Sequence, residues 1–154
     1  MSDLELERTQ VVPRSLDETF AFFADPRNLE AITPPWLHFR ILAAPERLER
    51  GSLLRYRLRL YGIPVRWLTE IEGWWPPRGF TDRQLRGPYL LWIHAHRFAP
   101  IAQGTEIYDN VRYRVPGGRL GPARLVRRLV DEIFDYRAER LRELMSARRE
   151  PVEV

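Results

Sequence analysis

The stretch from Phe80 to Pro116, FTDRQLRGPYLLWIHAHRFAPIAQGTEIYDNVRYRVP, decides the fold. It contains three runs that alternate between apolar and polar residues, separated by Arg86-Gly87-Pro88 and by the segment 100–104. Alternation with a period of two, interrupted by glycine and proline, predicts the strands of an antiparallel meander. The stretch therefore places a β-sheet at the centre of the chain.

The last of these runs predicts an inner face of mixed chemistry. Because the apolar side of an alternating strand faces the core, Asp109 is expected to point inward with its apolar neighbours. The sheet should therefore combine apolar and titratable side chains on one face. The inward set in this run is Thr105, Ile107, Asp109, Val111 and Tyr113.

The turns predict which other residues join that face. A tight turn around 101–103 gives four opposite pairs: Phe98 with Thr105, His96 with Ile107, His94 with Asp109, and Trp92 with Val111. Cross-strand partners point to the same side of a sheet, so the middle run should turn four side chains inward: Trp92, His94, His96 and Phe98. Folding the earlier turn around Gly87 adds Asp82 and Gln84 to them.

The segments before this stretch predict a strand, two short helices and further strands. The first strand runs from Leu4 to Val12. Ser15, with Glu18 three residues later, is typical of a capped helix start, and Asp25 can cap a second short helix. Alternating runs then predict strands at 37–44, 53–60 and 65–73.

The C-terminal part of the chain predicts one long helix, from Leu120 to about Arg148. Apolar residues recur there at the i, i+3, i+4 and i+7 spacing of an amphipathic helix. A single helical stripe cannot fill the concave face of a curved sheet, so a cavity between the two is expected. The helical arginines are assigned to a solvated face: Arg124, Arg127, Arg128, Arg137, Arg140 and Arg142.

Composition limits the class of protein. The chain has 154 residues, of which 44% are hydrophobic and 30% charged. These values fit a single domain over residues 1–148 with a short tail at 149–154. The absence of cysteine excludes disulfides and thiolate chemistry. No apolar run is long enough to span a membrane, and no signal-peptide core follows the N-terminus, so a cytoplasmic protein without stable membrane insertion is expected.

The charge pattern favours a small-molecule partner over a macromolecule. The net charge is +4, and the 25 basic residues are balanced by 21 acidic ones. A basic stripe at Arg55, Arg57, Arg59 and Arg66 offers a surface for an anionic membrane, a nucleic acid or a protein partner. Interleaved acidic residues favour an ordinary solvated face instead. No nucleic-acid partner is expected, and both a monomer and a homodimer remain open.

Several short motifs occur together along nearly the whole chain. They are Thr33-Pro34-Pro35-Trp36-Leu37 with Phe39, Gly62-Ile63-Pro64 with Trp67, Asp82-x-Gln84, Gly87-Pro88-Tyr89, Trp92-x-His94-x-His96-x-Phe98, and Asp109-x-Val111-x-Tyr113-x-x-Pro116. Taken together, they resemble the START-like helix-grip superfamily (SRPBCC), and within it a bacterial cyclase/dehydrase-like, ligand-binding branch. This resemblance implies an α+β helix-grip fold, with a curved sheet of six or seven antiparallel strands wrapped on a long C-terminal helix.

The resemblance also implies a hydrophobic cavity for a lipid, polyketide or quinone-like molecule. No cofactor is expected. The resemblance does not imply one activity, because relatives include lipid carriers, plant hormone receptors and polyketide aromatase/cyclases, and function does not follow from fold. We expect a binding or carrier protein. The residues predicted to bind the ligand are Tyr56, Trp67, Asp82, Gln84, Trp92, His94, His96, Phe98, Asp109 and Tyr113.

Two other interpretations of the inward polar residues remain. An aspartate beside a histidine supports acid/base chemistry near neutral pH, so an aromatase/cyclase-type enzyme would use His94 and Asp109, with His96 assisting. A metal site built from both histidines, Asp82 and Asp109 has suitable ligand types. It is disfavoured because the simple single-domain members of the superfamily carry no metal, and no metal is expected. A purely structural hydrogen bond would explain the same residues.

Overall fold

The computed structural model describes residues 3–117 and 121–146. Within these residues, seven strands form one antiparallel sheet: β1 (Leu4–Val12), β2 (Arg40–Ala43), β3 (Leu53–Leu60), β4 (Ile63–Trp75), β5 (Gly79–Arg86), β6 (Leu91–Ile101) and β7 (Gly104–Arg114). Their order across the sheet is β1-β7-β6-β5-β4-β3-β2. The meander predicted from 80–116 therefore forms β5, β6 and β7, near the middle of the sheet.

In the described part of the chain, three α-helices accompany the sheet: α1 (Leu16–Ala24), α2 (Asn28–Ala31) and α3 (Ala123–Ser146). The N-terminus of α1 is capped as predicted, because the Ser15 hydroxyl oxygen accepts a hydrogen bond of 3.1 Å from the Glu18 backbone N–H. A seven-stranded sheet with two short helices after β1 and a long C-terminal helix confirms the predicted fold class.

The β6–β7 pairing differs from the predicted register by two residues. His96, not His94, lies opposite Asp109, while His94 lies opposite Val111 and Phe98 opposite Ile107. A shift of two preserves the side to which each residue points, whereas a shift of one would reverse it. The predicted inner face is therefore correct, although the predicted partners are not.

The shift has its origin in the turn between the two strands. Pairing continues to Ile101 and Gly104 and leaves only two residues in the loop, rather than a turn centred on 101–103. Pro100 stays within β6 because β5 pairs with β6 only as far as Arg97, so beyond that residue the missing N–H costs no ladder bond on this side. Gly104 opens β7 at φ +142, a conformation that other residues rarely adopt.

Two other predicted elements change at their ends. The expected strand at 37–44 is instead a single 3₁₀ turn, Pro35–Leu37, followed by the shorter β2. His38 ends that turn in the left-handed conformation, with φ 48, which interrupts an extended path. The helix α3 covers most of its predicted span, whereas Leu120, residues 147–148 and the tail at 149–154 lie outside the described residues.

The core lies between the inner face of the sheet and the helices. The apolar stripe of α3 supplies Val130, Phe134, Leu141 and Met145, and α1 adds Phe20 and Phe23. Burying each such side chain contributes roughly 1.5–3 kcal/mol. Polar contacts fix α3 against β1, since Gln10 donates to the Ala138 carbonyl at 2.6 Å and Arg8 pairs with Asp135 at 2.6 Å. No helix within residues 3–117 and 121–146 is long and apolar enough to cross a membrane.

Candidate functional site

A cavity of about 170 Å³ lies between the sheet and α3 and is partly open to solvent. Its walls come from β3 to β6 and from all three α-helices. Most of the lining is apolar, including Leu54, Leu58, Trp67, Ile71, Phe80 and Phe134. Polar side chains also reach the lining, and they include Tyr56, Thr69, Asp82, His94, His96 and Arg137.

Four of the inward polar residues form one buried group, which we call the His–Asp cluster: Asp82, His94, His96 and Asp109. Nε2 of His94 lies 2.7 Å from Oδ1 of Asp109, and Nε2 of His96 lies 2.6 Å from Oδ2 of Asp82. His94 therefore bonds diagonally across the β6–β7 ladder, so the predicted His94–Asp109 pair exists although the two residues are not directly opposite. Hydrogen bonds between side chains of neighbouring strands satisfy polar groups that the apolar face would otherwise leave unpaired.

Asp109 is the ionised member of the cluster. Burial by itself would raise the pKa of Asp109, but Arg137 and the His94 hydrogen bond outweigh it and hold that pKa below the ordinary value of 3.8. An ionised carboxylate only accepts hydrogen bonds, so Nε2 of His94 carries the proton and donates to Asp109. Its other ring nitrogen, Nδ1, lies 3.8 Å from Oδ2 of Asp82.

His96 and Asp82 are both shifted toward their neutral forms. Burial lowers the pKa of His96 well below 6.5, and His94 and Arg137 add to that effect while Asp109 opposes it. Burial likewise raises the pKa of Asp82 above 3.8, against the attraction of His94 and Arg137. Nη2 of Arg137 lies 3.5 Å from Nδ1 of His96. Since a guanidinium only donates hydrogen bonds, Nδ1 of His96 is the acceptor. The proton of the His96 ring therefore lies on Nε2, which donates a hydrogen bond to Asp82.

Aromatic packing holds the two imidazoles in place. The rings of His94 and His96 are stacked with their centroids 3.6 Å apart. The other face of His96 stacks on Phe80 at 4.0 Å, and Phe134 from α3 meets His94 edge-on at 5.4 Å. The cluster is thus fixed by β5, β6, β7 and α3 together, which favours a single orientation of each ring.

Arg137 is the site residue that the sequence interpretation misses. Its charge assigns it to the solvated face of the C-terminal helix, but only 8% of its surface is exposed. Its guanidinium lies over the rings of Phe23 at 5.3 Å and Phe134 at 5.6 Å. Helical spacing contains the signal, because position 137 is three residues after Phe134 and four before Leu141, on the apolar stripe.

The residues predicted to bind a ligand fall into two groups. Four of them lie away from the cavity. Gln84 bridges the turn before β6 by bonding to the backbone of Tyr89. Phe98 packs against Phe23 with ring centroids 5.2 Å apart, while Asp109 and Tyr113 are buried outside the lining. The other six line the cavity: Tyr56, Trp67, Asp82, Trp92, His94 and His96.

Part of the cluster also has the composition of a metal site. Asp82, His94 and His96 bring one candidate ligand atom each to within 4.8 Å of one another. The guanidinium of Arg137 lies beside one of these imidazoles, however, with Nη2 3.5 Å from Nδ1 of His96. Its fixed positive charge opposes a second cation at this distance, so the described residues fit a hydrogen-bonded network better than a metal centre.

Comparisons with known proteins identify the fold. No protein-family model and no curated protein sequence matches the chain. Among solved structures, the chain is similar to the Zhui aromatase/cyclase from Streptomyces sp. R1128, with a TM-score of 0.74, 17% identity and 94% of each chain covered. It is also similar to ginseng major latex-like protein 151 from Panax ginseng, with a TM-score of 0.68, 11% identity, and 93% of this chain and 97% of that chain covered.

A third similar structure, a protein from Thermus thermophilus, has a TM-score of 0.68 and 21% identity, and the alignment covers 95% of this chain and 98% of that chain. These matches extend over nearly the whole length of both partners. At such low identities they show the fold alone. The predicted helix-grip fold is thereby confirmed, and what the cavity holds must be argued from the cavity itself.

Proposed function

We propose that this protein binds a small apolar molecule in the cavity between its sheet and α3. The observation that supports this proposal is the cavity of about 170 Å³ with a mostly apolar lining. Cavities of roughly 150 Å³ with apolar walls take up benzene-sized molecules. A ring-sized ligand, or one ring of a larger ligand that extends through the open side, therefore fits the space.

The contacts around the cavity suggest binding without an obligatory reaction. Protein interiors are normally close-packed, so apolar walls without partner atoms lose dispersion contacts that a bound molecule restores. The Tyr56 and Thr69 hydroxyls hydrogen-bond to each other at 3.1 Å. The shortest hydrogen bonds of the His–Asp cluster are between its own members. The lining thus offers an apolar compartment with a fixed polar end, as expected of a carrier or receptor.

Fluorine NMR with fluorobenzene tests this proposal, because the probe is neutral and of the right size. We expect saturable binding to the native protein. In the variant Ile133→Trp the larger side chain of a cavity-lining residue should fill the space and abolish binding. The control Leu125→Trp changes a residue of the same helix that is 53% exposed and should bind normally. Equal binding by both variants, or none by the native protein, rejects the proposal.

One observation favours a second candidate function, an acid/base enzyme of the aromatase/cyclase type. His94 lines the cavity, and because its Nε2 bonds to Asp109, Nδ1 is the atom through which it would exchange a proton with a substrate. A histidine oriented by an ionised carboxylate is a suitable general base. In this mechanism His94 would transfer the proton, Asp109 would orient the His94 imidazole, and His96 would assist.

Turnover of a poly-β-keto thioester distinguishes the enzyme from the carrier. If the second function holds, the native protein changes the product distribution relative to a protein-free control. The variant His94→Gln should lose that effect while still binding fluorobenzene. Identical products with and without native protein would remove this candidate and leave the binding function in place.

A further inference from the structure

We propose that Arg137 binds a carboxylate group of the ligand, whose apolar body occupies the cavity. This inference rests on the proposed binding function and narrows its ligand class to apolar acids. Arg137 is a residue of α3 on the cavity wall, and the His–Asp cluster does not provide acceptors for all of its hydrogen-bond donors.

The hydrogen-bonding capacity of Arg137 is largely unused. A guanidinium has five N–H donors, yet within the described residues its contacts are long: 3.5 Å from Nη2 to Nδ1 of His96 and 3.6 Å from Nη2 to Oδ1 of Asp109. Its buried Nε has no partner there. Leaving a buried charged donor unsatisfied costs more free energy than a typical hydrogen bond supplies. An added acceptor would therefore remove an existing cost.

The unsatisfied groups specify an acceptor rather than a donor. Among the described residues, the buried side-chain atoms without a hydrogen-bond partner are Nε1 of Trp67, Nε of Arg83 and Nε of Arg137, and all three are N–H donors. Two of these residues, Trp67 and Arg137, line the cavity. A ligand that presents oxygen acceptors complements this lining, whereas a ligand that presents only donors does not.

The geometry of Arg137 favours a carboxylate among possible acceptors. Its planar fork matches two carboxylate oxygens, and such bidentate, charge-assisted bonds are stronger than bonds to a neutral acceptor. The rings of Phe23 and Phe134 lie 5.3 Å and 5.6 Å from its central carbon. These rings hold the guanidinium in position before a ligand arrives, which reduces the entropy lost on binding.

The charges facing Arg137 leave room for an anion. Asp109 is ionised, but it already accepts the shorter bond from His94, at 2.7 Å. The remaining neighbours are shifted toward neutrality, since burial raises the pKa of Asp82 and lowers the pKa of His96. Tyr56, across the cavity on β3, also stays neutral because burial raises its pKa. Asp82 in turn accepts a bond of 2.6 Å from Nε2 of His96, so each carboxylate of the cluster already has a histidine donor.

A matched pair of probes tests the inference on the unmodified protein. Para-fluorophenylacetate and para-fluorophenylacetamide have the same ring and nearly the same shape, but only the first is an anion at pH 7. Fluorine NMR titration should show the carboxylate binding roughly tenfold to a hundredfold more tightly than the amide, as expected for a charge-assisted pair. Equal affinities would overturn the inference.

Substitutions at two positions of α3 test whether Arg137 causes the preference for the carboxylate probe. The variant Arg137→Met removes the charge and should erase the preference for the carboxylate while fluorobenzene still binds. Arg137→Lys keeps the charge without the fork and should retain part of the preference. In the control Arg128→Met, the altered side chain is 80% exposed, and the preference should be unchanged.

The outcomes separate this inference from the proposed function. Fluorobenzene binding without a carboxylate preference, or a preference that survives in Arg137→Met, contradicts the role of Arg137 and leaves the cavity function standing. If the native protein binds none of the three probes, both the role of Arg137 and the proposed binding function are contradicted. If Arg137→Met does not fold, the comparison of carboxylate with amide on the native protein still decides the question.

Discussion

Within the His–Asp cluster, the pKa values of the two aspartates are shifted in opposite directions. Asp109 lies near Arg137 and accepts from His94, so its pKa is lowered. Asp82 is dominated by burial, so its pKa is raised. Because a lowered pKa means that the folded state prefers the charged form, ionised Asp109 stabilises the fold above the pH where an unfolded carboxyl titrates. That stabilisation is lost as the pH falls through the folded pKa.

The variant Asp109→Asn should therefore be strongly destabilised at pH 7. It removes the counter-ion of Arg137 and leaves a buried positive charge, a change that typically costs about 3–5 kcal/mol in free energy of unfolding. Urea denaturation measures this cost. The control Asp135→Asn breaks an ion pair with Arg8 in which the Asp135 side chain is 62% exposed, and it should cost less than about 1 kcal/mol. Similar losses in both variants would contradict the role given to Asp109.

His96 should make stability depend on pH just below neutrality. Its folded pKa is lowered well below 6.5, so the unfolded chain binds a proton first as the pH falls. The free energy of unfolding should then drop by up to about 1.4 kcal/mol per pH unit below pH 6.5. Urea titrations at pH 7 and pH 5 measure the difference.

Two variants isolate this contribution. His96→Gln should flatten the dependence between pH 7 and pH 5, because the titrating group is gone. His38→Asn alters an exposed histidine in the left-handed conformation, which asparagine tolerates, and it should keep the native dependence. A native slope in His96→Gln would show that other groups cause the acid loss.

At the level of single residues, the alternating pattern predicts which residues form the His–Asp cluster but not which of them lie opposite each other. Alternation places Asp82, His94, His96 and Asp109 on one face, because the period of a strand does not depend on register. Arg137 is missed because a charged residue is usually solvated, and a cavity that faces the stripe of α3 is a property of the assembled fold. Its position within the apolar spacing is the available indication.

At the level of elements, the β6–β7 hairpin sets which residues face each other across the cluster. Alternation determines the face of each strand, whereas register depends on the turn. Here the two-residue loop and Gly104 shift the predicted pairing by two residues. A Cβ added to Gly104 would lie 2.1 Å from the Val12 carbonyl oxygen, so glycine is required where β7 passes the end of β1.

Gly104→Ala should consequently destabilise the protein by more than about 2 kcal/mol, since both backbone strain and a backbone clash oppose the methyl group. Gly62→Ala is the matched control, because Gly62 has φ +79 but no atom near an added Cβ. It should cost about 1 kcal/mol, from conformation alone. Thermal or urea unfolding gives both values. Equal costs would show that the contact with Val12 does not constrain the hairpin.

At the level of the whole molecule, chain order and amphipathic patterns predict the elements, and the motif resemblance predicts their arrangement as a helix-grip fold. The alternating runs, the capped short helix and the long C-terminal stripe each correspond to an observed element. The cavity can be anticipated because one helical stripe cannot fill a curved sheet, but the pattern does not tell which inward residues line it and which pack elsewhere. Gln84, Phe98 and Tyr113 point inward as predicted and are used for turn and core contacts, a division that depends on where α1 and α3 pack.

The most direct test of the central claim follows the indole N–H resonances by proton–nitrogen NMR during a fluorobenzene titration. Trp67 and Trp92 line the cavity, while Trp36 and Trp75 are 50% and 60% exposed and serve as internal controls. We predict saturable shifts for Trp67 and Trp92 with little change in the two exposed indoles. An unshifted Trp67 resonance, or equal unsaturated shifts at all of them, would contradict ligand binding in this cavity.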